Sequence, residues 1–100
     1  MTESTGAGAV ILAVDLGTGG PKVALVSADG DVVGHEYERN DLIMLPDGGV
    51  EQDPEQWWTT IVAATRRLLA RGLAPVDDVV AISITTWIGT STRRRLRSAR

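Results

Sequence analysis

The apolar residues of this chain follow two periods, and the switch between them marks out its elements. Residues 9–16 are a nearly continuous apolar run, as expected of a central strand covered on both faces. Residues 23–27 form a second run rich in branched side chains. After the turn chemistry of Ala28-Asp29-Gly30-Asp31, residues 32–38 read as a third strand. Short connections make these three an antiparallel meander. Residues 39–53, with Pro46 and the Gly48-Gly49 pair, read as irregular.

The period then becomes helical. Trp57, Ile61, Ala64 and Leu68 fall on one stripe, widened by Trp58, Val62 and Leu69, which predicts a helix over residues 54–71. Asp53 is placed to cap it, Pro54 suits its first position, and Gln56 can reach back to the cap. Arg66, Arg67 and Arg71 suit its C-terminal end, and Gly72 is a natural stop. Both tryptophans are expected as core anchors. After Pro75-Val76-Asp77-Asp78, residues 79–84 are again apolar enough for a central strand. The order β-β-β-α-β is an α/β arrangement with a mixed sheet, in which the last strand lies parallel to the first after a right-handed crossover.

Composition narrows the class. One hundred residues make at most one small domain, and 43% hydrophobic content is that of a folded chain. The absence of cysteine excludes disulfides and thiolate metal sites. The one histidine, His35, has no visible metal-binding partner and is expected to face solvent from a strand. The first residues carry no basic stretch of a signal peptide, and no run approaches the roughly 20 apolar residues of a membrane span. A soluble cytoplasmic protein with no membrane partner is the expectation. Net charge is −3, unevenly spread: Arg93, Arg94, Arg95, Arg97 and Arg100 supply five of the ten basic residues. Residues 1–92 therefore carry five basic against thirteen acidic side chains, a net −8.

The chemistry concentrates where the first strand ends, in Asp15-Leu16-Gly17-Thr18-Gly19-Gly20-Pro21-Lys22. Gly17, Gly19 and Gly20 can take backbone angles closed to other residues, so that amide N–H groups converge on an anion. Thr18 adds a hydroxyl donor and Lys22 a positive charge suited to a phosphate. Asp15, at the strand's end, could hold Mg²⁺ directly or through its waters. A glycine-rich hairpin turn with an incidental acid and base is the competing reading. The run lacks the Gly-Lys-Ser/Thr of a P-loop and the Gly-x-Gly-x-x-Gly spacing of a dinucleotide turn.

Asp15-Leu16-Gly17-Thr18 followed by Lys22 resembles the phosphate hairpin of the actin-like ATPase and sugar-kinase superfamily. Gly48-Gly49-Val50-Glu51-Gln52-Asp53-Pro54-Glu55-Gln56-Trp57-Trp58 resembles the Glu-Gln-Asp-Pro-x-x-Trp-Trp run of the FGGY carbohydrate kinases, which include xylulokinase and glycerol kinase. The resemblance covers roughly residues 9–86 and implies an incomplete ribonuclease H-like (actin-like ATPase) domain. It also implies transfer of the γ-phosphate of ATP to a sugar or polyol hydroxyl. Asp15 would organise Mg²⁺, while Gly17, Thr18, Gly19 and Lys22 would face the phosphates. The family's catalytic aspartate lies far downstream and its adenosine pocket belongs to a second domain, so no general base is nominated here. Inactivity of the segment alone is the expectation, and a pentulose kinase is preferred over a glycerol kinase.

Residues 1–8 read as a flexible leader and residues 87–100 as a basic tail. After Ile84-Thr85-Thr86, the family's sugar-contacting run of the type Gln-Met-His or Gln-Arg-Glu is replaced by Trp87-Ile88-Gly89 and then the arginines. An out-of-frame continuation is expected from about Trp87. The alternative function is a non-catalytic phosphate-binding or regulatory module whose basic tail binds nucleic acid; a nucleic-acid partner is the less favoured expectation. For the segment alone, oligomers or aggregates are expected.

Overall fold

The computed structural model describes residues 8–86. The expected basic tail, and the leader apart from Gly8, lie outside the described residues. Strand β1, Val10–Gly17, and strand β2, Gly20–Ser27, are antiparallel and joined by the two-residue turn Thr18-Gly19. Their register runs unbroken from Val10 opposite Ser27 to Gly17 opposite Gly20. Strand β3, Val32–Tyr37, pairs antiparallel with β2 through an irregularity at Leu25/Val26. Two short strands follow, β4 (Ile43–Met44) and β5 (Val50–Glu51), then helix α1 (Pro54–Ala70) and strand β6 (Val79–Thr86). β6 lies parallel to β1, giving a mixed sheet in the order β3-β2-β1-β6. This is the α/β arrangement expected.

The β4–β5 hairpin falls where the sequence read as irregular. Gly48, with φ +90°, lets the chain reverse, and the Leu45 N–H donates to the Gly49 carbonyl at 2.8 Å. The Asp47 carboxylate takes the Gly49 N–H at 2.8 Å. Strands of two residues are too short to display a period, so only the turn residues were visible.

Helix α1 starts and stops as its sequence requires. Asp53 Oδ1 accepts the Glu55 N–H at 3.0 Å, Pro54 opens the first turn, and Gly72 takes φ +71° just beyond the end. Gln56 does not reach back to the cap. Its side-chain amide instead binds Asp41, accepting the backbone N–H at 2.7 Å and donating to the carboxylate at 2.9 Å. The buried line of the helix is Thr60, Ala64 and Leu68, a spacing of four that shares Ala64 and Leu68 with the predicted stripe and adds Thr60. Ile61 and Leu69 pack beside it. Trp58 is 68% exposed and is not a core anchor. Trp57 is half-buried and has a polar task described below.

The core lies between α1 and one sheet face, where Val10, Leu12 and Val14 alternate along β1 beside Val23 and Leu25 of β2. Alternation places residues 11, 13 and 15 on the opposite face, which α1 does not cover. β6 was expected to be central. Among the described strands it is an edge, and Val80, Ile82 and Ile84 are 63–66% exposed. The helix packs over β2 and β3, and its last turns are pinned there by arginines. Arg67 binds Glu36 at 3.1 Å, the Glu38 carboxylate, and the Tyr37 carbonyl at 2.7 Å. Arg71 donates to the His35 carbonyl at 2.9 Å and to Glu36 at 3.2 Å. The bonds to Glu38 first, and Glu36 second, raise the Arg67 guanidinium above its ordinary value. His35 faces solvent, as expected.

Candidate functional site

The sequence-predicted residues meet at one end of the β1–β2 hairpin. Asp15 and Lys22 are register partners on adjacent strands. Tyr37 pairs with Lys22 from β3, and Thr85 with Asp15 from β6. Directly paired residues project to the same side, so Tyr37, Lys22, Asp15 and Thr85 form a polar row across the sheet on the face away from α1. Asp15 and Lys22 are exposed. Among the described residues neither carries an ion pair or a side-chain hydrogen bond. A carboxylate and an ammonium therefore stand free on neighbouring strands at the mouth of the turn. Lys22 lies within β2 and not in the loop, which gives its long side chain a fixed origin.

The turn itself differs from the expectation in one respect. Only Gly20 of its three glycines takes a positive φ, +141°. A Cβ there would come 1.9 Å from the Glu38 carbonyl oxygen, so the chain leaving β3 needs a glycine at this point. Gly17 and Gly19 lie outside the left-handed region. A Cβ on Gly19 would meet the Tyr37 hydroxyl at 2.8 Å, whereas one on Gly17 would find only the Gly20 carbonyl at 3.8 Å. Among the described residues, nothing demands a glycine at Gly17.

Three residues that sequence reasoning did not nominate hold the turn. The Gly19 carbonyl accepts from the Tyr37 hydroxyl and from the Asn40 N–H, each at 2.9 Å. The Thr18 carbonyl accepts from Gln52 Nε2, and Gln52 Oε1 accepts from Trp57 Nε1 at 2.9 Å. Asn40 is 5% exposed, and its Oδ1 lies 2.7 Å from the hydroxyl of Thr60 on α1. An open depression of about 530 Å³ beside the turn is lined by Thr18, Gly19, Tyr37, Arg39, Asn40 and Asp41. Arg39 brings a second cation near the turn, a residue the sequence offered only inside an aperiodic stretch.

The donor set can be tested against its expected ligands. Among the described residues no group of three or more His, Cys, Asp or Glu side chains could cage a metal. A single carboxylate at Asp15 fits a hydrated Mg²⁺, which keeps several waters and takes its remaining ligands from phosphates. Lys22 and the Thr18 hydroxyl fit phosphate oxygens.

The mixed sheet led by a glycine-turn hairpin is consistent with the actin-like ATPase class of fold. The description "FGGY family of carbohydrate kinases, N-terminal domain" matches residues 10–92, and the chain belongs to that family. It is 37% identical over 78 residues to a glycerol kinase of Symbiobacterium thermophilum, an overlap covering 75% of this chain and 15% of that protein. It is 39% identical over 74 residues to a xylulose kinase of Escherichia coli, covering 73% of this chain and 15% of that protein. A crystal structure of a xyloylose kinase from Brucella ovis superposes with a TM-score of 0.72 at 28% identity, over 77% of this chain and 16% of that one. The chain thus spans about one sixth of the length of the relatives it matches. Among the described residues no helix is long and apolar enough to cross a membrane.

Proposed function

We propose that this segment supplies the phosphate-facing hairpin of an ATP-dependent carbohydrate kinase, within a longer cytoplasmic polypeptide that transfers the γ-phosphate of ATP to a sugar or polyol hydroxyl. The observation that carries the reading is the pairing of a free Asp15 and a free Lys22 across β1 and β2, beside a turn whose two central carbonyls are already engaged. Phosphoryl transfer asks mainly for positioning and charge neutralisation, and rigid adjacent strands deliver both. Lys22 and the Thr18 hydroxyl would bind phosphate oxygens, with Gly17 and Gly19 allowing close approach. Asp15 would orient the waters or the metal; Mg²⁺, when bound, offsets the charge of the phosphates. No residue here is assigned as the base that takes the sugar hydroxyl's proton, so the segment alone is expected to be inactive. Glycerol and xylulose kinases match it at similar identity, so the substrate is proposed only as a sugar or polyol.

The test is Mg²⁺-ATP titration of a kinase polypeptide carrying this segment, with Asp15→Ala and Lys22→Ala variants. Each removes a charge-assisted contact and should cost on the order of 1.5–3 kcal/mol of nucleotide binding or turnover. Unchanged affinity and turnover in both would overturn the assignment and leave a structural turn.

A further inference from the structure

The Glu51-to-Trp58 run does more than open a helix. Trp57 Nε1 carries a hydrogen and no lone pair, so the Gln52 atom it meets at 2.9 Å must be the carbonyl oxygen Oε1. That fixes the amide's orientation and turns its NH₂ end onto the Thr18 carbonyl. The Thr18 C=O shares a peptide unit with the Gly19 N–H. In a planar trans peptide the two point in opposite directions. Holding the oxygen towards the helix start therefore aims the Gly19 N–H away from it, out of the exposed turn. The neighbouring peptide is fixed in the same way, since the Tyr37 hydroxyl and the Asn40 N–H both bind the Gly19 carbonyl.

A turn containing Gly17, Gly19 and Gly20 would otherwise flip its peptides at little cost. A flipped Thr18–Gly19 peptide would present an acceptor to an incoming anion where a donor is needed. The Asp53 cap and Pro54 fix the first turn of α1, and with it the distance between Gln52 and Trp57. We propose that Gln52, oriented by Trp57, is a positioning residue that locks the Gly19 N–H towards a phosphate oxygen. The inference rests on the phosphate-hairpin reading for its ligand, but not for the lock itself.

The experiment is ¹⁵N relaxation of a glycine-labelled kinase polypeptide carrying this segment, followed by titration with Mg²⁺-ATP. The parent chain, Gln52→Glu, Trp57→Phe, and Trp58→Phe as an exposed control on the same helix are compared. The Gly19 N–H order parameter should be near the rigid value of about 0.85 in the parent and the control, and fall towards about 0.6 in Gln52→Glu. Trp57→Phe should fall between them. Mg²⁺-ATP affinity should drop by about tenfold in Gln52→Glu. An unchanged Gly19 order parameter in Gln52→Glu and Trp57→Phe overturns the lock. A loosened turn with unchanged Mg²⁺-ATP affinity overturns its positioning role. Failure of the parent chain itself to bind Mg²⁺-ATP counts against the phosphate reading, while the order parameters still decide the lock.

Discussion

Gly17 and Gly20 stand opposite each other at the ends of one turn, yet a methyl group would affect them differently. At Gly20 it would strike the Glu38 carbonyl, and the positive φ is itself strained for any other residue. Gly20→Ala should cost more than about 1 kcal/mol of stability, read as a lowered denaturant midpoint. Gly17→Ala meets nothing closer than 3.8 Å, so the fold should be as stable as the parent while Mg²⁺-ATP binding weakens. A Gly17→Ala variant that binds nucleotide normally would remove Gly17 from the site. Both glycines look alike in sequence, because the atoms that distinguish them belong to residue 38, far along the chain. Asp15 and Lys22 were legible for the opposite reason: their pairing is local, set by a two-residue turn. Gln52 acts across 34 positions and Asn40 reaches the helix across 20, separations at which no local pattern carries a signal.

At the scale of elements, α1 and the sheet depend on each other through a few side chains. Leu68 is fully buried against the sheet, and Leu68→Ala should cost about 2–5 kcal/mol through lost transfer energy and a residual cavity. Trp58→Ala should change stability by no more than about 0.5 kcal/mol, since that ring is mostly in water. Equal losses in the two variants would contradict the observed packing. The helical period showed that an amphipathic helix was present, but not which of two adjacent tryptophans would face the protein. Thr60 occupies a core position with its hydroxyl against Asn40 Oδ1 and the Gln56 and Trp57 carbonyls of its own helix, partners that a count of apolar residues cannot anticipate. The arginine latch has its own signature. Arg67 is exposed, so its bonds to Glu36 and Glu38 should weaken as salt is added. Its folded value is raised, so its contribution is complete below the ordinary arginine range and lost only above it. Arg67 therefore adds no pH dependence near neutrality, and an Arg67→Met variant should differ from the parent by the same margin across that range.

For the whole molecule the decisive feature is what α1 leaves uncovered. Register puts Ile82 beside Leu12 and Ile84 beside Val14, on the same face as the core, but the helix packs over β2 and β3. Val80, Ile82 and Ile84 remain 63–66% exposed, and the outer edge of β6 pairs with no other described strand. An apolar, unpaired edge is a template for another chain, and a domain of this size has little stability to spare. The isolated 100-residue polypeptide should therefore self-associate or unfold in part. Light scattering during thermal denaturation reads this directly, and Ile82→Lys should lower the scattering by placing a charge on the edge. Burial sets that expectation, whereas apolar content alone suggested a central strand; a run of branched residues looks the same whether its cover is present or missing. A sharp, reversible, monomeric transition well above about 50 °C, inside the 45–65 °C range of ordinary domains, would show that the exposed edge is tolerated. Scattering that Ile82→Lys leaves unchanged would move the contact to another surface, the exposed Ile43 and Met44 of β4 being the next apolar group on the molecule.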